Sequence, residues 1–180
     1  MPDTREILMD TAERSIRLGG YNAVSFRELA DALGIKSASV HYYFRKKEDL
    51  GVALVDRYSQ RFFAVLEKRA DGARTAEALL DAYCQTYRTA LTSSDAICLC
   101  GMLGAETSGL PDAVSSAVRT FFRANLEWLV DAMPKGLDPA AKTARASHVL
   151  AALQGAMMLS HNMDDISVFD AAAEVVKAGL

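Results

Sequence analysis

Apolar residues recur along this chain at three- and four-residue spacing far more often than they alternate, a pattern of amphipathic helices rather than strands. Over about 3–18, Leu8, Ala12 and Ile16 form one stripe that ends at Gly19-Gly20, which predicts a first helix. Phe26, Leu29, Ala30 and Leu33 then fall on one face of a second helix that stops at Gly34, a residue tolerant of the left-handed region. Ser25 stands before this run and Glu28 three positions on, the spacing of a capping box. A very short third helix follows, with Ser37 as its expected cap and Val40 and Phe44 turned inward. Ser39, His41, Tyr42 and Tyr43 occupy its remaining directions.

Further helices are predicted over about 47–69, 75–92, 95–107, 111–133 and 139–162, with a last one beginning near Ser167. Gly72, Ser93-Ser94, Gly109-Leu110-Pro111, Pro134-Lys135-Gly136 and Asp164-Asp165 punctuate them. The seventh opens near Pro111 and carries Val114, Val118, Phe121, Phe122, Leu129 and Met133; Asp138-Pro139 reads as a cap followed by proline at the first position of the eighth. In the eighth, Val149, Leu150, Leu153, Ala156 and Met157 share a side, while Ala151, Ala152 and Gly155 are small enough for close helix approach. In the ninth, Phe169, Ala172, Ala173 and Val176 form the apolar stripe.

Composition strengthens this picture. Fifty Ala and Leu against seventeen Val and Ile favour helices, and 51% hydrophobic with 24% charged residues excludes a disordered chain. The fold class is therefore all-α, with about nine helices in one or two small domains. A net charge of −3 excludes a histone-like coat, so any nucleic-acid binding must be local. Residues 34–47 supply such a patch: Lys36, Arg45, Lys46 and Lys47 with no acid among them. From Ala146 to Met163 no charged residue occurs, but Ser147, His148, Gln154, Ser160, His161 and Asn162 interrupt the run, which predicts a helix buried between others rather than a membrane span. Without a signal-peptide pattern, and with only Cys84, Cys98 and Cys100, a reducing cytoplasm is expected.

Two short helices joined by a glycine-containing turn are the skeleton of a helix-turn-helix, whose second helix enters the major groove. The segment VSFRELADALGIKSASVHYYFRKKEDL resembles the DNA-binding signature of the TetR family of transcriptional regulators, over about residues 5–55. His41 departs from that pattern, where Tyr is more frequent, and so does Lys46, where a small capping residue usually opens the fourth helix. The resemblance implies a DNA-binding domain over 1–47 and an effector-binding and dimerisation domain over 48–180. It implies that Lys36, Ser37, Ser39, His41 and Tyr42 face double-stranded operator DNA, with Ser25, Arg27, Tyr43 and Lys47 toward phosphates. It also implies a homodimer through helices eight and nine, the isologous assembly that is commonest among soluble oligomers.

Effector chemistry is less constrained. Cys84, Cys98, Cys100, Tyr87, Met102, Phe121, Trp128 and Met157 are the candidate pocket or redox residues. Cys98 and Cys100, read as lying on one apolar helix, point about 200° apart, which disfavours a bond between them. Two buried thiols are one reading and an electrophile or oxidant sensor the other. No metal site is expected, since His148 and His161 lie about 220° apart around one helix. Glu106 reads as a surface residue at a helix end. Neither a nucleophile elbow, a zinc-protease helix, a phosphate-binding loop nor a dinucleotide fingerprint occurs, so neither catalysis nor a cofactor is expected. The expected function is a ligand- or electrophile-responsive repressor. A ligand-independent architectural or protein-regulated factor and, more distantly, a cofactor-independent helical enzyme are the alternatives.

Overall fold

The computed structural model describes residues 3–93 and 96–179. Ser94 of the Ser93-Ser94 break and the expected start of the sixth helix at 95 lie outside the described residues. Among the described residues the chain is all-α: α1 (Thr4–Gly19), α2 (Phe26–Leu33), α3 (Ser37–Tyr43), α4 (Lys47–Ala70), α5 (Ala76–Thr92), α6 (Leu99–Ala105), α7 (Asp112–Ala132), α8 (Pro139–Met163) and α9 (Ile166–Ala178). Single 3-10 turns follow α1 at Tyr21–Ala23 and α6 at Thr107–Gly109. No helix is long and apolar enough to cross a membrane, among the described residues.

Local chemistry sets most of these boundaries. Asp3, Ser25, Thr75, Asp138 and Asp165 each accept backbone N–H groups with their side chains at the starts of α1, α2, α5, α8 and α9. Proline at the first position of α8 costs nothing because its missing N–H lies among those with no helical partner. α2 stops at Gly34, whose φ of 62° and ψ of 29° are left-handed, and the N–H of Ile35 returns to the Ala30 carbonyl at 3.0 Å.

Three expectations are corrected. Ser37 is the first residue of α3; Lys36 precedes it as the cap and makes no side-chain capping bond. α6 starts at Leu99, so Cys98 lies before the helix, and only Cys100 is on it. α8 is apolar on two sides but buried on one: Ala146, Val149, Leu153, Ala156 and Met157 are covered, whereas Ala151, Gly155, Met158 and Leu159 are exposed.

By contacts the chain divides into two compact units, Met1–Ser59 with Leu99–Thr120, and Gln60–Cys98 with Phe121–Leu180. This contact boundary differs from a division at 47/48 because the first turns of α4, together with α6 and the start of α7, pack with the N-terminal helices. In the first unit, Leu8, Ala12 and Ile16 of α1 are buried with Leu29, Val40, Phe44, Leu50 and Leu54. Arg57 of α4 ties to α1 by meeting Glu6 and Asp10 at 2.9 Å and Glu13 at 2.8 Å. In the second unit, Leu66, Leu80, Tyr83, Tyr87, Phe121, Leu129, Leu153 and Phe169 form the core.

Candidate nucleic-acid interface

α3 is short and buries little, which fits it to read something else. Val40 is wholly buried and Phe44 nearly so, and they seat the helix on the first unit. Lys36, Ser37, His41 and Tyr42 are exposed, Tyr42 to 84%. An aromatic ring left that far in water, on a helix rigidly held from its other side, is available for contact. His41 rests edge-on against Phe26 of α2 with centroids 4.9 Å apart, so the residue that departs from the family pattern is oriented by the preceding helix. Ser39 and Tyr43 are half-buried, and the Tyr43 ring meets Tyr42 edge-on at 5.1 Å.

Among the residues expected at phosphates, Ser25 accepts the Glu28 N–H at 3.1 Å, the Ser half of the capping box, and Arg27 is exposed on the first turn of α2. Lys46, unusual at the start of a helix, is accommodated because Asp49 three positions on accepts its backbone N–H at 3.0 Å. Lys47 is half-buried, with its ammonium 4.2 Å from the centroid of the Tyr21 ring. Burial lowers its pKa from the ordinary lysine value, and the charges of Glu28 and Glu106 oppose that shift. The nine expected residues lie on, or immediately before, α2, α3 and α4, all within the first unit.

The effector candidates are dispersed. Cys100 and Met102 belong to the first unit and the other six to the second. All three cysteines are buried and none is in a disulfide. Cys84, only 2% exposed, lies on a cleft of about 290 Å³ between α5 and α9, over which Arg88 meets Asp170 at 2.7 Å and Lys177 meets Asp81 at 3.1 Å. Burial pushes the Cys84 thiol up to about 12. Tyr87 and Phe121 pack against Phe62 at 4.9 and 5.5 Å, and Met157 is buried. Half-buried Trp128 stacks on Tyr83 at 5.4 Å and lines a second cleft, of about 440 Å³, with Glu67, Asp71 and Leu79. Among the described residues no three His, Cys, Asp or Glu side chains converge as metal ligands.

The organising residue of this region was missed from sequence. Asn125 is wholly buried on α7. The Tyr83 and Tyr87 hydroxyls donate to its Oδ1 at 2.8 and 3.3 Å, its own Nδ2 donates to the Phe121 carbonyl at 2.8 Å, and Gln154 Nε2 donates to the Tyr87 hydroxyl at 3.0 Å. Burial drives the Tyr83 phenol far above its ordinary pKa, so it remains a donor. The available signal was spacing: Asn125 interrupts the stripe Val114, Val118, Phe121, Leu129 at a position where a polar residue must find partners.

Comparison with known proteins bears on the family and the fold. Residues 8–54 match the family described as "Bacterial regulatory proteins, tetR family". The chain is 30% identical over 141 residues to the HTH-type transcriptional repressor NemR of Escherichia coli K12, a match covering 76% of this chain and 70% of that protein. A TetR transcriptional regulator from Legionella pneumophila superposes with a TM-score of 0.93 at 27% identity, over 100% of this chain and 98% of that one. A TetR-family regulator from Agrobacterium tumefaciens gives 0.88 at 25% identity, over 98% and 96%.

Proposed function

This chain belongs to the TetR family of DNA-binding transcriptional regulators, and from that premise we propose that it is a ligand-responsive repressor acting as a homodimer on a palindromic operator. The observation that carries the reading is the α3 face, exposed and polar outward yet anchored by buried Val40 and Phe44. The sign of regulation is supported by the printed role of the Escherichia coli relative, a repressor.

Dimerisation through α8 and α9 is supported by what those helices leave uncovered. Met158, Leu159 and Met163 of α8 are 49%, 53% and 63% exposed, and Val175 of α9 is 70% exposed. A Cβ built on Gly155, in the same exposed stripe, meets nothing within 4 Å. Packing inside the chain therefore has no need of that small residue, whereas a twofold mate lying close against α8 would.

Two recognition helices reach successive major grooves only at a separation of about 34–36 Å or a multiple of it. An effector that prefers another placement of α4, continuous from Lys47 to Ala70, lowers operator affinity by its differential binding, typically about 5- to 150-fold. The Trp128 cleft has the size of a small-molecule site and touches the Asn125 cluster through Tyr83. Burial of all three thiols favours a non-covalent effector over an electrophile. The test is selection of genomic fragments by the reduced protein at physiological salt. Enrichment of a palindrome with half-sites about one helical turn apart, or a multiple, is expected; a folded, dimeric protein that enriches no sequence contradicts the reading.

A further inference from the structure

Glu106, at the end of α6, is half-buried, and its side chain is turned into the first unit. Its carboxylate accepts the backbone N–H of Tyr21 at 2.7 Å. Gly20 stands beside it with a φ of 82°, and a Cβ at that position would collide with the Glu106 carboxylate. The carboxylate is therefore seated directly on the backbone of the turn that joins α1 to α2. Tyr21 is only 5% exposed, and its ring lies beneath the Lys47 ammonium. α4 closes on that ring through Gly51, where a Cβ would stand 3.1 Å from Tyr21 and 2.9 Å from Val114 of α7. Neighbouring Arg45 and Lys46 are exposed, so Lys47 is the cation of this patch whose position is fixed in advance.

Resting on the DNA-binding reading above, we propose that Glu106 is a positioning residue for that binding: it pins the Gly20–Tyr21 turn, so that the Tyr21 ring holds Lys47 at the N-terminus of α4 to meet a phosphate. A cation already seated loses less side-chain freedom when the phosphate arrives than one free in water. α6, distant in sequence from the helix-turn-helix, is by this reading part of the DNA-binding machinery, in keeping with its place in the first contact unit.

A double-mutant cycle tests this with the duplex that wild-type protein selects, at one salt concentration and below all unfolding transitions. Glu106→Ala is expected to weaken binding about tenfold, but by less than about twofold when Lys47 is already Ala. Glu106→Gln, whose amide oxygen still accepts the Tyr21 N–H, is expected within about twofold of wild type. Equal losses from Glu106→Ala in both backgrounds overturn the proposal, as does unchanged or tighter binding by Glu106→Ala, or a Gln variant as weak as Ala. If Glu106→Ala does not fold, Glu106→Asp, one methylene too short, takes its place in the cycle with the same expectations. Failure of wild-type protein to select any duplex removes the DNA-binding reading itself and this proposal with it, an outcome separate from selection followed by an additive cycle.

Discussion

The recognition helix and the bundle around Asn125 divide their labour in opposite ways. On α3, Val40 and Phe44 hold the fold while Lys36, Ser37, His41 and Tyr42 face water, so structure and function fall on different residues. In the bundle, buried Cys84 and Phe169 are at once part of the core and part of the lining of the α5–α9 cleft, and Trp128 of the second cleft stacks on buried Tyr83, so any response to a ligand must repack groups that stabilise the unit. An exposed functional face can change its sequence at little cost to stability. A buried one cannot.

That contrast breaks most readily at Cys84. With its thiol pushed up to about 12 by burial, about one molecule in ten thousand carries the thiolate at pH 8, against a sizeable fraction for an unperturbed cysteine. Native alkylation by iodoacetamide at pH 8 is expected about three orders of magnitude slower than in urea, rising as pH approaches the raised value. Peptide-resolved mass spectrometry reads it directly. Equal native and urea rates would mean that the α5–α9 cleft opens freely despite the Arg88–Asp170 and Lys177–Asp81 pairs, and that the bundle is no more sealed than α3.

Asn125 sets the next largest effect. Replacing it by Ala leaves two buried phenols without their common acceptor and opens a small void, a loss of about 3 kcal/mol by the usual cost of such changes. Urea unfolding measures it, and Tyr42→Ala, on an 84% exposed side chain, is the control expected within about 0.5 kcal/mol of wild type. A loss below about 1 kcal/mol at Asn125 would show that the bundle tolerates change as the recognition face does.

The same division governs what could be read from the chain. The caps Ser25 and Asp138, the left-handed Gly34 and the inward Val40 and Phe44 act within a few residues of themselves, so spacing reveals them. Glu106 acts on Tyr21, 85 residues away, and Asn125 on Tyr83, 42 away. Spacing marks Asn125 as a polar residue on a buried stripe without naming its partner, and nothing local marks Glu106, which accordingly reads as a surface residue. Ser37 departs from its expected role because Ser is usually a cap; here Lys36 occupies the cap position and exposed Ser37 is the first residue of α3. α6 begins later than the apolar run suggests because Ile97 and Cys98 continue that run without being helical.

Ser25 sharpens the comparison by breaking its rule on the recognition side. Its oxygen accepts the Glu28 N–H at the start of α2, yet a hydroxyl so engaged still has its own proton to donate, and this residue is also expected at a phosphate. Loss of the cap in Ser25→Ala is expected to cost about 1 kcal/mol in urea unfolding together with a loss of DNA affinity. Substitution by Asp separates the two roles. The carboxylate caps as well as Ser, holding stability within about 0.5 kcal/mol, but it has no proton to give and repels the phosphate, so binding falls while the fold does not. If Asp binds the selected duplex as tightly as Ser, the hydroxyl serves the helix alone, and α2 obeys the same separation of labour as α3.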